Sequence, residues 1–96
     1  MPKIGDLKIW WVPQVPMKAF EMKVGTTDEA SLLLFTLAKY DIFQFENRVK
    51  PDFSNAGGLS VFDGEEWTEW ESDLGDTIDD IIDGDIESGK FKELED

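Results

Sequence analysis

The sequence predicts a small α+β domain in which one helix packs on an antiparallel sheet of about four to five strands, in the order β-β-α-(β)-β-β. Three observations support this class: short runs of β-forming residues, one long helical repeat, and an Asp-Gly pair between two aromatic segments. The chain has 96 residues, of which 41% are hydrophobic. That is enough apolar material for one core, and it excludes a chain that is disordered throughout.

Two strands are predicted near the start of the chain. Lys8–Val12 is rich in β-forming residues and apolar on both faces, which is typical of a central strand, and Pro13 and Pro16 end it. Ala19–Val24 alternates between apolar and charged residues, so one face is expected to be buried. The residues on that face are Phe20, Met22 and Val24. We expect the two strands to form a wide hairpin.

A helix is predicted from about Thr27 to Tyr40. Thr26 can cap its first turn, with Glu29 completing a capping box. Its apolar residues recur at helical spacing and form one broad face: Ala30, Leu33, Leu34, Leu37 and Ala38, with Leu32 and Phe35 at its sides. Residues 41–51 are ambiguous, and both a short strand and an irregular crossing stay open. The run from Asn55 to Gly58 is interpreted as a turn.

A second hairpin is predicted around Asp63-Gly64, between Leu59–Phe62 and Glu66–Trp70. A two-residue loop would pair Phe62 with Glu65, and a four-residue loop would pair Phe62 with Trp67. The longer loop is favoured because it places two aromatic side chains opposite each other.

The charge of the chain is concentrated in its last third. Residues 1–62 hold seven acidic and seven basic side chains, whereas residues 63–96 hold fifteen acidic side chains and two lysines. The formal net charge of −13 therefore belongs to the second region. This asymmetry indicates an acidic interaction segment, and it disfavours nucleic acid or an anionic membrane as a direct partner. We therefore divide the chain into a compact domain, 1–71, and an acidic segment, 72–96, that is docked or partly disordered.

The acidic segment yields the main site hypothesis. On a helix over residues 73–87, Leu74 and four isoleucines share one face. Five carboxylates (Asp73, Asp76, Asp80, Asp83 and Glu87) lie opposite and span about 21 Å at ~1.5 Å per residue. Such a row could imitate a nucleic-acid backbone, although a plain solvated face is the competing interpretation. Asp76 as N-cap and Gly84 as C-terminal stop would leave only two turns. The predicted partner-binding residues are Asp73, Asp76, Asp79, Asp80, Asp83, Asp85, Glu87, Trp10 and Trp11.

Trp10 and Trp11 are adjacent on one predicted strand, so their side chains point to opposite faces. One of the two can therefore lie outside the core, where tryptophan is favoured at the centre of protein interfaces. Packing in the core is the competing interpretation for both.

The sequence gives little support for an enzyme or a metal site. It contains no His and no Cys, which removes the commonest general base and the thiolate ligands. The spacing of Asp83, Asp85 and Glu87 resembles the start of a calcium loop, but Ser88 and Leu94 occupy the positions that require Gly and Glu. We expect no cofactor. The remaining catalytic alternative is a small hydrolase that uses Glu66 and Glu69 beside tryptophans.

Several runs of residues together resemble a known family. They are Trp10-Trp11-Val12-Pro13-Gln14-Val15-Pro16-Met17, Tyr40-Asp41-Ile42-Phe43-Gln44-Phe45-Glu46-Asn47, Lys50-Pro51-Asp52-Phe53, Asn55-Ala56-Gly57-Gly58-Leu59 and the Asp63-Gly64…Trp67…Trp70 hairpin. Over about residues 7–71, the chain resembles small tailed-phage proteins labelled superinfection exclusion proteins. The resemblance implies a phage-encoded factor that protects the infected cell or alters a host process. It implies no catalytic residues.

The function predicted is that of a phage-type inhibitor or modulator that binds a host or competing-phage protein through an acidic surface. Its partner would carry a basic surface and could be a nucleic-acid-binding enzyme of a defence or replication system. The chain has no signal-peptide pattern and no run of ~18 apolar residues, so the host cytoplasm is the expected location, without membrane insertion. The alternatives are an assembly accessory that homo-oligomerises through the aromatic sheet, and the hydrolase.

Overall fold

A computed structural model describes residues 1–13, 16–47 and 56–92. The order of elements is β1 (Leu7–Val12), β2 (Phe20–Val24), α1 (Thr27–Glu46), β3 (Ala56–Phe62), β4 (Trp67–Glu69) and α2 (Ile78–Glu87). The strands form one antiparallel sheet in the order β2-β1-β3-β4. The predicted α+β class is confirmed. Within the described ranges there are four strands.

The core lies between the sheet and the two helices. Cross-strand partners share a face, so Ile9, its partner Leu59 and the next inward residue, Trp11, all face the helices. These residues pack with Val24, Ala30, Leu34 and Ile78 in one buried cluster. The other face of the sheet carries the half-buried side chains of Trp10, Phe62 and Trp67.

The predicted β1–β2 hairpin is confirmed, with Ile9 opposite Met22. The predicted burial of the apolar face of β2 is wrong for two of its three residues. Phe20 is 51% exposed and Met22 is 47% exposed, whereas Val24 is buried. The reason is that β2 is an edge strand, and α1 covers the sheet only at the Val24 end of this strand.

Helix α1 begins as predicted but extends further. The Thr26 hydroxyl accepts a hydrogen bond from the Glu29 backbone N–H, and the Glu29 carboxylate accepts one from Gly25 rather than from the cap residue. The helix continues to Glu46. Both predictions for residues 41–51, a short strand and an irregular crossing, are therefore wrong for residues 41–46. No helix breaker occurs before Asn47, and Asp41 is buried on the inner side. Residues 48–55 lie outside the described residues.

The β3–β4 hairpin has the predicted four-residue loop. Phe62 pairs with Trp67, and their ring centroids are 5.4 Å apart. The Asp63 carboxylate accepts hydrogen bonds from the backbone of Glu65 and Glu66, which lowers the pKa of Asp63. The turn predicted near Gly58 is wrong for its described part, because residues 56–58 are the first residues of β3.

Helix α2 has different limits from those predicted. Its N-cap is Thr77 rather than Asp76, and the helix passes through Gly84 to Glu87. Leu74 is 90% exposed and precedes the helix, so it is not part of the apolar face. Beyond α2 the chain returns to α1, where Phe91 is buried and stacks on Phe35 with ring centroids 4.4 Å apart.

Candidate functional site

A row of carboxylates follows the exposed side of α2. Asp79, Asp80, Asp83 and Glu87 are all exposed. Asp79, Asp83 and Glu87 follow one another at intervals of four residues, and Asp80 precedes Asp83 by three, so the group extends along one side of the helix over about 12 Å. We call these four residues the acidic row. Among the described residues, none of the basic side chains forms an ion pair with a member of this row.

The acidic row is shorter than the stripe predicted from sequence. Asp73 and Asp76 precede the helix, in a turn held by hydrogen bonds from Ser72 to the Asp76 carbonyl and from Asp76 to the Ser72 hydroxyl. The single 21 Å helical stripe is therefore wrong, because the positive-φ Gly75 bends the chain between Asp73 and the first turn of α2.

Two of the predicted acidic residues make contacts inside the molecule. The Asp85 carboxylate accepts a hydrogen bond of 2.7 Å from the fully buried Ser31 hydroxyl, and it lies 3.6 Å from the Lys90 ammonium group. Asp80 belongs to the acidic row but also accepts a hydrogen bond of 3.0 Å from the Thr77 backbone, which fixes the first turn of α2. Asp85 thus joins the end of α2 to α1.

Asp79 is the member of the row with the most unfavourable surroundings. Partial burial raises the pKa of Asp79, and the neighbouring carboxylates of Asp83 and Asp80 raise it further. Removal of a carboxylate from water and repulsion between like charges both disfavour the ionised form. A basic group placed beside Asp79 would therefore stabilise its ionised form.

An apolar groove of about 530 Å³ lies beside the acidic row, between α1 and α2. Its floor is formed by Trp11 and by Gly57 at the start of β3. Asp79 stands on its α2 wall and Lys39 on its α1 wall. Seven apolar side chains line the rest of the described groove: Leu34, Phe35, Ala38, Ile42, Ala56, Ile82 and Ile86. No sequence pattern predicts this groove, because it depends on how the two helices cross and on Gly57, which the sequence places in a turn.

The two tryptophans predicted to bind a partner lie in different places. Trp11 is buried (8% exposed) and also lines the groove, so it is the one of the two tryptophans that packs in the core. Trp10 is half-buried on the opposite face of the sheet, where its ring lies over Gly58. Trp10 and Asp79 nevertheless line one pocket of about 260 Å³, so Trp10 adjoins the first turn of α2 and the start of the acidic row.

The glutamates of the hydrolase alternative are exposed at the β3–β4 hairpin. Both side chains are exposed, and Glu69 lies at the rim of a pocket that Trp10 and Trp67 also line. In the described part of the chain, no group of three or more Asp or Glu side chains is arranged to hold a metal ion. No helix among the described residues is long and apolar enough to cross a membrane.

The structure is that of a small two-layer α+β protein with a row of carboxylates beside an apolar groove. A sequence profile of the family described as superinfection exclusion gene product 17 matches residues 6–88. The chain belongs to this family, which confirms the predicted resemblance and extends it through α2.

A curated relative, the superinfection exclusion protein of Salmonella phage P22, is 49% identical over 57 residues. The alignment covers 59% of this chain and 55% of the relative, so the chain spans about half the relative's length. No solved structure matches the chain.

Proposed function

We propose that this chain acts in superinfection exclusion as an inhibitor or modulator that binds a protein partner through α2. Membership of the superinfection exclusion family and the name of the phage P22 relative support the biological role. The observation that carries the molecular role is the acidic row beside an apolar groove. The partner would place basic side chains along Asp79, Asp83 and Glu87 and an apolar side chain in the groove.

Electrostatics favours a protein as the partner. A net charge of −13 repels the phosphates of nucleic acids and the surface of anionic membranes. A basic protein surface is attracted, and its desolvated contacts with Asp79 would relieve the repulsion within the row. Nucleic-acid-binding enzymes carry such surfaces, so an enzyme of this class in the host cytoplasm is our expected target.

The test is an exclusion assay with a matched pair of charge variants. Salmonella expressing the chain is challenged with a panel of tailed phages, and plating efficiency is measured. The row variant, Asp79→Asn with Asp83→Asn and Glu87→Gln, leaves Asp80 in place because Asp80 caps the helix. The control variant, Asp73→Asn with Glu65→Gln and Glu71→Gln, removes the same three charges from exposed positions outside α2.

We expect the row variant to lose exclusion and the control variant to keep it. Affinity for a captured partner should fall about tenfold or more in the row variant, which requires only about 1.4 kcal/mol. Added salt should release the partner from the wild-type chain. Thermal unfolding of both variants verifies that the fold is intact. Equal exclusion by the two variants would contradict a role for the acidic row, and failure of the wild-type chain on every phage would contradict the role in exclusion.

A groove variant separates the apolar contribution from the charges. Ile86 is 50% exposed and lines the groove, whereas Leu74 is 90% exposed and lies outside it. Ile86→Ser should weaken exclusion, and Leu74→Ser should not. Identical behaviour of these two variants would limit the site to the acidic row.

A further inference from the structure

The outer edge of β2 has the geometry and the sequence to pair with a second copy of itself. The strand order places β2 at one end of the sheet, so among the described residues it has a strand neighbour on one side only. Two large apolar side chains are exposed on it, Phe20 at 51% and Met22 at 47%. A strand edge of this kind is a template for antiparallel pairing.

The direction of the free backbone groups follows from the alternation of hydrogen bonds in an antiparallel sheet. The Phe62 N–H donates to the Asp6 carbonyl at 2.9 Å, so the even-numbered residues of β1 bond to β3. Leu7, Ile9 and Trp11 therefore bond to β2 through their partners Val24, Met22 and Phe20. The backbone N–H and C=O groups of Glu21 and Lys23 are left pointing to the free edge.

Only outward-pointing residues can pair across a new antiparallel interface. This condition leaves three symmetric registers for two copies of β2. One places Glu21 opposite Glu21, and another places Lys23 opposite Lys23, so both juxtapose like charges. The third places Glu21 of each copy opposite Lys23 of the other, with Met22 opposite Met22 on the twofold axis and Phe20 opposite Val24.

The charges already present at this edge fit the third register. Lys23 lies 3.4 Å from Asp6, and Glu21 lies 3.1 Å from Lys8. The side chains of Glu21 and Lys23 are nevertheless 53% and 72% exposed. In the paired arrangement, Lys8 and Glu21 of one copy would be followed across the strands by Lys23 and Asp6 of the other. The charges in this row alternate in sign, and the twofold axis generates a second, equivalent row.

The location of the edge also favours association. The excess negative charge lies in residues 63–96, whereas residues 1–62 are neutral in sum. In the sheet, β2 and β4 occupy opposite ends, and α2 packs mainly against α1 and β3. Two copies could therefore meet at β2 with both acidic rows directed away from the contact.

We propose that the chain forms a symmetric homodimer through β2, in the register that pairs Glu21 with Lys23, so that two four-stranded sheets become one eight-stranded sheet. The partner is a second copy of this chain. The arrangement is independent of the acidic row and leaves two rows available, one on each subunit.

Site-directed disulfide formation tests this register, because the chain has no cysteine of its own. Opposed Met22 residues would be a non-hydrogen-bonded pair with Cα atoms about 4.5 Å apart, within the range that a disulfide bridges. Met22→Cys should therefore form a covalent dimer on air oxidation. Tyr40→Cys, at a 57% exposed position on α1, should stay monomeric under the same conditions.

A charge-swap series on the full chain provides the second arm, with sedimentation equilibrium at about physiological salt. The wild-type chain should approach twice its 11.0 kDa mass with increasing concentration. Glu21→Lys and Lys23→Glu should each shift the equilibrium to monomer, and the double variant should restore the dimer. A wild-type monomer at all concentrations would overturn the proposal. The proposal would also be overturned if the charge-swap variants dimerised as strongly as the wild-type chain and Met22→Cys formed no covalent dimer.

Discussion

At the scale of single residues, two adjacent glycines on β3 are required by two adjacent tryptophans on β1. A Cβ atom at Gly57 would lie 2.5 Å from the ring of Trp11, and one at Gly58 would lie 2.6 Å from the ring of Trp10. Both distances are shorter than normal contacts. The consequences differ because Trp11 is buried in the core, whereas Trp10 is half-buried on the open face of the sheet.

We predict that Gly57→Ala destabilises the protein more than Gly58→Ala does. The Trp11 ring is packed in the core, and the Trp10 backbone carbonyl would lie 3.2 Å from the added Cβ, so the first substitution should cost about 1–3 kcal/mol, as overpacking in a core typically does. The Trp10 ring can rotate toward solvent and absorb the second substitution. Urea unfolding of the two variants measures the difference.

Gly84→Ala is the control for this comparison. Gly84 lies inside α2, and a Cβ there would meet no atom within 4 Å. Alanine should therefore increase stability by about 0.5–1 kcal/mol through its higher helix propensity. Equal losses for Gly57→Ala and Gly58→Ala would show that the packing around Trp11 is not as restrictive as described.

Asp79 gives a pH-dependent prediction. Because the pKa of Asp79 is raised in the folded protein above its ordinary value of 3.8, the folded state binds this proton more tightly than the unfolded state does. The protonated carboxyl is tolerated at low pH, and stability is lost as the pH rises through the folded-state pKa. Asp79→Asn should therefore raise the melting temperature at pH 7, and the gain should vanish below pH 3.8.

The matched control is Asp73→Asn, which removes one charge from an exposed residue before α2. It should change the melting temperature less than Asp79→Asn at pH 7. Equal gains for both variants would attribute the effect to net charge alone, and not to the desolvation and local repulsion at Asp79.

At the scale of elements, the start signals were predictable from sequence, and the end signals and burial were not. The Thr26 cap and the Phe62–Trp67 register follow from local chemistry, so the sequence predicts them correctly. The exposure of Met22 depends on how far α1 extends over the sheet, which no local pattern contains. The position of Gly57 in a strand depends on Trp11, which is 46 residues away in the chain.

The candidate site was predictable to a similar extent. The concentration of acids in the last third identifies α2, because charge can be counted directly. The number of carboxylates on one face depends on where the helix starts, and Gly75 places that start after Asp76. The internal role of Asp85 depends on its contact with Ser31 on another element. The groove depends on the packing of two helices and could not be predicted.

The segment that follows α2 and packs back on α1 gives a prediction about stability. Phe91 is 3% exposed and stacks on Phe35, and a hydrogen bond of 3.0 Å joins the Lys90 ammonium group to Asp28. Phe91→Ala should lower the free energy of unfolding by about 3–5 kcal/mol, as loss of a buried Phe side chain does. Chemical denaturation measures the loss.

Leu74→Ala provides the comparison, since Leu74 is 90% exposed and outside the core. This variant should unfold within about 0.5 kcal/mol of the wild-type chain, as is usual for surface substitutions. A similarly small effect of Phe91→Ala would mean that the return of the chain contributes little to the core.

At the scale of the whole molecule, the dominant property is the uneven charge. One part of the chain is neutral in sum, and the other carries the net charge of −13. Repulsion within the charged part destabilises the folded state, and salt screens it, since the Debye length falls from about 30 Å at 0.01 M to about 3 Å at 1 M. We predict that the melting temperature rises when sodium chloride is added over this range.

The row variant used for the exclusion assay is also the test of this explanation. With Asp79, Asp83 and Glu87 neutralised, the melting temperature should start higher at low salt and rise less. A melting temperature that falls with added salt would contradict the view that repulsion dominates the electrostatics of the fold.

The strand order has a consequence for the speed of folding. The outer pairs of the sheet, β1 with β2 and β3 with β4, are local hairpins, but the central pair joins Ile9 to Leu59 across 50 residues of chain. Closing a long loop costs entropy before the central contacts form, and chains dominated by such pairings fold slowly. Each hairpin can form early, whereas the barrier lies at the β1–β3 seam. Contacts formed before or at this barrier act on the folding rate, so changes at Ile9 or Leu59 and changes within either hairpin should alter the folding rate more than the unfolding rate.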